Sequence, residues 1–129
     1  MKINTDISKR VDLYAKRGDT FIVDVNTKDA DGQDFNFLGY TAKMEVVGRD
    51  RRVVLGFTSL SQWNDGFNDL FGNYKASSIE LKSGKITLEM DAESMQLNQG
   101  SYRYELQLTH GDTVKTWLYG RFKINSDLT

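Results

Sequence analysis

A single histidine, His110, stands in a chain that has no cysteine. One imidazole without thiols cannot build a His-rich or thiolate metal site, and there is no Cys nucleophile. His110 belongs to the run His110-Gly111-Asp112 and reads as a solvated turn residue. Carboxylates come nearest to a metal pattern at Asp29, Asp31 and Asp34, around Gly32. If Gly32 takes the sixth position of a helix–loop–helix calcium loop, Asp29 and Asp31 fall at the third and fifth. Thr27 then falls at the first position, and Leu38 at the twelfth, where a bidentate Glu is needed. The flanks have strand patterns, so the stretch reads as an Asp/Gly turn. Arg49, Arg51 and Arg52 could face a phosphate, but with Asp50 among them they read as a solvated hairpin tip.

The chain contains no Gly-x-Gly, no His-Glu-x-x-His and no Gly-x-Ser-x-Gly. No pair of carboxylates lies in an apolar stretch that would raise a pKa. The expectation is therefore no catalytic, cofactor-binding or metal-binding residue, and not an enzyme. Lys and Arg number 17 against 18 Asp and Glu, a formal charge of −1. That balance gives no electrostatic footprint for nucleic acid or an anionic membrane. Apolar runs such as Val53-Val54-Leu55 are far short of the ~20 residues of a membrane span. Met1 to Asp6 lacks the apolar core of a signal peptide, so synthesis in a cytoplasm is expected. The 129 residues suit one domain able to bury a core without staples.

The elements that would position a site read as strands. Tyr102, Tyr104, Leu106 and Leu108 alternate with Arg103, Glu105, Gln107 and Thr109, the period of a strand with one buried face. After the turn at 110–112, Thr113 to Asn125 is expected to pair with it. There Val114, Thr116, Leu118, Gly120, Phe122 and Ile124 fall on one face. Lys115, Trp117, Tyr119, Arg121 and Lys123 fall on the other. Gly120 signals a bulge or a close neighbour.

Further alternation marks Val11–Ala15, Phe21–Val25, Ala42–Val46, Val53–Thr58 and Ile86–Met90. Phe35 to Tyr40 is aromatic and suits a cover over one end. Asp91 suits the cap of a short helical turn over 91–96. The stretch 61–83 reads as an insertion between strands. Its Trp63, Phe67, Leu70 and Phe71 carry the spacing of a short helix, weakened by Gly66 and Gly72. Ile79 and Leu81 suit a short strand. The predicted class is all-β, an antiparallel sandwich of about seven to nine strands.

The order of these signals carries a resemblance. It runs Lys16-Arg17-Gly18-Asp19-Thr20-Phe21, an acidic Gly loop, Gly39-Tyr40-Thr41-Ala42, Gly84-Lys85-Ile86-Thr87-Leu88 and Ala92-Glu93. It ends in Gly100 to Leu108 and Leu118-Tyr119-Gly120-Arg121-Phe122-Lys123-Ile124. The series resembles the small immunoglobulin-like β-sandwich of virion proteins of tailed bacteriophages, baseplate and tail-associated ones included, from about Lys16 to Thr129 apart from 61–83. Leu97, Gly100 and Tyr102 look like the tyrosine corner of such sandwiches, in which the Tyr hydroxyl bonds back to upstream backbone.

The resemblance implies a non-enzymatic virion structural module, an adaptor or decoration subunit present in multiple copies and bound to other virion proteins of the tail, baseplate, neck or capsid. Candidate protein-contact residues are Trp63, Phe67, Phe71, Trp117 and Tyr119. Trp117 and Tyr119 either lie under another segment or form part of an interface, where aromatics are enriched. The alternative is a glycan-binding sandwich that stacks sugars on the same rings.

Overall fold

The computed structural model describes residues 9–59 and 77–125. They form nine strands: β1 (Lys9–Arg10), β2 (Leu13–Lys16), β3 (Phe21–Asn26), β4 (Tyr40–Val47), β5 (Val53–Thr58), β6 (Ser77–Lys82), β7 (Lys85–Met90), β8 (Gly100–His110) and β9 (Thr113–Asn125). No helix occurs among the described residues. At 91–96 the expected helical turn is an isolated hydrogen-bonded turn. Asp91 Oδ1 accepts the Ser94 N–H at 2.8 Å, and the Met95 N–H reaches the Asp91 carbonyl at 3.3 Å. Asp91 caps as expected, but no second turn follows to repay nucleation, so the chain opens again. The short strand expected at Ile79 and Leu81, at the far end of the 61–83 stretch, is present. Ser77–Lys82 is a strand, paired along its length with β7 and burying Ile79. Trp63, Phe67 and Phe71 lie outside the described residues.

Strand order is β1-β9-β8-β4-β5-β6-β7-β3, with β2 also on β9. The sheet folds over where β5 meets β6, a parallel junction of two residue pairs, Phe57↔Ser77 and Thr58↔Ser78. One layer holds β4, β5, β8 and β9, with β1 and β2 along β9. The other holds β3, β7 and β6. This is the strand arrangement of an immunoglobulin-like sandwich. Not every pair is antiparallel: β1 and β2 run parallel to β9, as β5 does to β6. Phe21 of β3 ties the layers together, its ring 6.1 Å from Phe57 and 5.1 Å from Phe122. Around them are buried Met44 and Val46 of β4, Ile86, Leu88 and Met90 of β7, and Tyr104, Leu106 and Leu108 of β8.

The long β8–β9 hairpin departs from simple alternation at one point. Its register passes from Leu106↔Leu118 to Gln107↔Thr116, so Trp117 is an extra residue on β9. A bulge of this kind shifts the facing of everything beyond it by one. Lys115 pairs with buried Leu108, and Trp117 and Leu118 are both buried. The uninterrupted two-face assignment of Thr113 to Asn125 is therefore corrected. On the near side of the bulge Trp117 shares the core side with Phe122 and Ile124, while Tyr119 keeps the outer side.

Candidate interaction face

The outer side of the β4–β8–β9–β1 layer is where side chains with charge gather. Its residues are the polar halves of the alternating strands, and cross-strand register sorts them into rows. One row runs Glu45, Glu105, Tyr119, Arg10 across β4, β8, β9 and β1. The next runs Val47, Arg103, Arg121. A third begins with Lys43 beside Gln107. Together they line an open cleft of about 470 Å³. Two pairs of like charge stand directly opposite each other, Glu45 with Glu105 and Arg103 with Arg121. Opposed like charges on neighbouring strands are destabilising. Among the described residues, Glu45, Glu105 and Arg103 form no salt bridge.

The β1 border of this face is held by a compact device around Gly120. Lys9↔Leu118, Arg10↔Tyr119 and Leu13↔Phe122 keep one register, and the ladder is interrupted only at Val11 and Asp12. There the Val11 N–H donates to the Tyr119 carbonyl at 2.9 Å, and the Tyr104 hydroxyl donates to the Val11 carbonyl. Asp12 Oδ1 accepts the Arg121 N–H at 3.1 Å, standing in for a strand carbonyl. That N–H, helped by the charges of Arg10 and Lys123, holds the Asp12 carboxyl below its ordinary 3.8 against the opposing effect of burial. Burial, and then the Asp12 charge, push the Tyr104 phenol well up. Gly120 adopts φ of +156°, and a Cβ there would meet the Val11 carbonyl and stand 3.0 Å from Asp12 Oδ1.

The predicted site residues separate. Tyr119 is 42% exposed, in the middle of the charged face. Trp117 is 4% exposed and is corrected from contact residue to core. The bulge turns its indole inward, onto Phe35 at 4.9 Å edge-to-face, Phe37 at 5.6 Å and Tyr40 at 6.4 Å. Thus Phe35 to Tyr40 does cover one end of the sandwich. Tyr102 Oη donates to the Asn98 carbonyl at 2.8 Å, the backward hydrogen bond of a tyrosine corner.

The remaining sequence candidates are occupied by local structure. His110 is exposed at its turn, with its ring stacked on Tyr40 at 4.5 Å. Asp29 Oδ1 accepts the N–H groups of Asp31 and Gln33, and Lys28 pairs with Asp34. These contacts build the turn itself. Arg52 pairs with Asp50 at 3.0 Å at the 48–52 hairpin tip.

Sequence reasoning missed Glu45, Glu105, Arg103 and Arg121 as one surface. Alternation assigns each to the outside of its strand, but which stand opposite each other is fixed only by register.

No protein-family model matches this chain, and no curated protein matches it. Among solved structures, an uncharacterized protein from Bacillus anthracis str. Ames aligns with 21% identity and a TM-score of 0.38, over 93% of this chain and 85% of that one. A chain from the crystal structure of ICOS in complex with ICOS-L and an anti-ICOS-L VNAR domain aligns with 10% identity and a TM-score of 0.44, over 93% of this chain and 56% of that one. At these values the architecture described above rests on the strand order of this chain alone.

Proposed function

We propose that this protein is a non-enzymatic assembly module that docks another protein subunit on the outer face of β4–β8–β9–β1. The observation that carries the reading is the mixed-charge face itself. It sets Glu45 and Glu105 beside each other and Arg103 beside Arg121, around exposed Tyr119. Like charges left adjacent within one chain are better compensated by opposite charges from a partner. A Tyr at the centre of a polar rim suits a protein contact.

The resemblance of the ordered motifs supports a tailed-phage particle as the setting, with tail, baseplate, neck or capsid subunits as partners. Mass spectrometry of purified particles of the phage that encodes the chain tests this. Stoichiometric presence supports the reading, and absence from particles overturns it. The glycan-binding alternative needs two or three coplanar rings on one open face. Trp117 is buried, and the two exposed rings on this side are Tyr119 and, along β2, Tyr14, which stands opposite Lys123 with the Lys123 Nζ 5.4 Å from its ring centroid.

A further inference from the structure

We infer that the partner on this face is a second copy of the same chain, joined about a two-fold axis that lies between the Glu45–Glu105–Tyr119 row and the Arg103–Arg121 row. The inference rests on the proposal that this face is an interface, and it names the occupant.

An isologous contact places the same patch on both sides, so residue i meets j where j meets i. A patch of one sign cannot do this without repulsion, whereas a patch divided into two adjacent rows of opposite sign can. Here Glu45 and Glu105 occupy one row, which ends in Arg10 on β1, and Arg103 and Arg121 the neighbouring row, which begins with Val47, so the opposite signs face each other at 105 and 103 while Glu45 faces Val47. Glu105 and Arg103 are two residues apart on β8, and Tyr119 and Arg121 two apart on β9, so both pairs point outward. All four are exposed.

Take an axis parallel to the face and perpendicular to the strands, passing midway between the rows. It brings Glu105 of each copy opposite Arg103 of the other. It also brings each Tyr119 ring opposite the other copy's Arg121. The first contact is a charge-assisted pair made twice. The second is a guanidinium over an aromatic face, also made twice. The same operation separates none of the chain's own hydrogen bonds. Arg121 keeps its Nη1 contact to Ser101 at 3.2 Å and has further donors free for a partner. The open concavity of about 470 Å³ between the rows is the space the facing side chains would fill.

Charge reversal tests this with an internal control. Glu105→Arg places a cation beside Glu45, and Arg103→Glu places an anion beside Arg121. Each change replaces a like pair within the monomer by an opposite pair, so neither variant should lose thermal stability. Between copies, each turns an attraction into a repulsion. In sedimentation equilibrium at about 50 mM salt, the wild type is expected to dimerise, with affinity falling roughly tenfold or more by about 500 mM. Either variant alone is expected to associate at least about tenfold more weakly. An equimolar mixture of the two should recover association, because both 103–105 contacts in the mixed dimer are again between opposite charges. Circular dichroism checks that both variants are folded. A wild type monomeric throughout, or a mixture no better than its components, overturns the inference. Incorporation of Glu105→Arg into particles separates the two claims. If incorporation falls although the wild type never self-associates, a different chain occupies the face: the dimer is wrong and the docking role stands. If incorporation is unchanged, the docking role itself is wrong.

Discussion

Gly120 and Val11 approach so closely that a Cβ on Gly120 would collide with the Val11 carbonyl oxygen. That carbonyl also accepts the Tyr104 hydroxyl, so it cannot retreat without breaking a part-buried hydrogen bond. Gly120→Ala is expected to destabilise the fold by about 2 kcal/mol or more. Gly111→Ala has no neighbour within 4 Å and meets only the strain of φ +60°. It should cost about 1 kcal/mol. Urea unfolding of both variants checks the order, and a Gly120→Ala no worse than Gly111→Ala would refute the close-approach account.

Trp117 and Tyr119 are neighbours with opposite roles. Trp117→Ala empties the aromatic end built with Phe35, Phe37 and Tyr40, and should cost about 3–5 kcal/mol. Tyr119→Ala, on the exposed face, should stay within about 0.5–1 kcal/mol of wild type. Thermal denaturation decides. Equal effects from the two would mean the bulge does not re-aim Trp117.

Asp12 makes stability depend on pH in a definite direction. Its folded-state pKa lies below 3.8, so folding favours the charged carboxylate. The stability it contributes is fully present above the unfolded value and is lost as pH falls through the folded one. Asp12→Asn cannot titrate. The stability gap between wild type and Asp12→Asn should therefore be constant from about pH 5 to 7 and narrow below about pH 4. A gap that widens on acidification would contradict the hydrogen bond to Arg121 as its source.

Arg51 has φ of +63°, at a hairpin tip where the Arg51 N–H donates to the Gly48 carbonyl at 3.0 Å. A side chain in this left-handed region costs free energy that glycine avoids. Arg51→Gly should stabilise the protein by about 0.5–1 kcal/mol, measurable as a raised midpoint in urea. A lowered midpoint would show that the arginine side chain contributes more than its backbone strain removes.

The strands were legible because burial imposes a period of two, and that period is written in β3, β4, β7 and β8. The corner at Tyr102 was legible because its geometry is local: the acceptor, Asn98, is four residues away. Trp117 was misread for the opposite reason. The bulge that turns it inward follows from pairing with β8 and from the aromatic residues at 35–40, which lie far away in sequence. The charged face was hidden in the same way. Lys, Arg and Glu on outer strand positions look like ordinary solvated residues until register sets Glu45 against Glu105. Asp12 gave no signal, since its role depends on an N–H of β9.

The parallel docking of β1 and β2 along β9 has a consequence for synthesis. Leu13 and Ala15 rest in register against Phe122 and Ile124, residues made roughly a hundred positions later. As the chain emerges from the ribosome, the first two strands must wait for the ninth before they acquire this sheet partner. The hairpins β4–β5, β6–β7 and β8–β9 can each close as soon as they appear. The seam between early and late strands is then the last part of the sandwich to be sewn, and it should be the first to part when the protein is pulled from its ends.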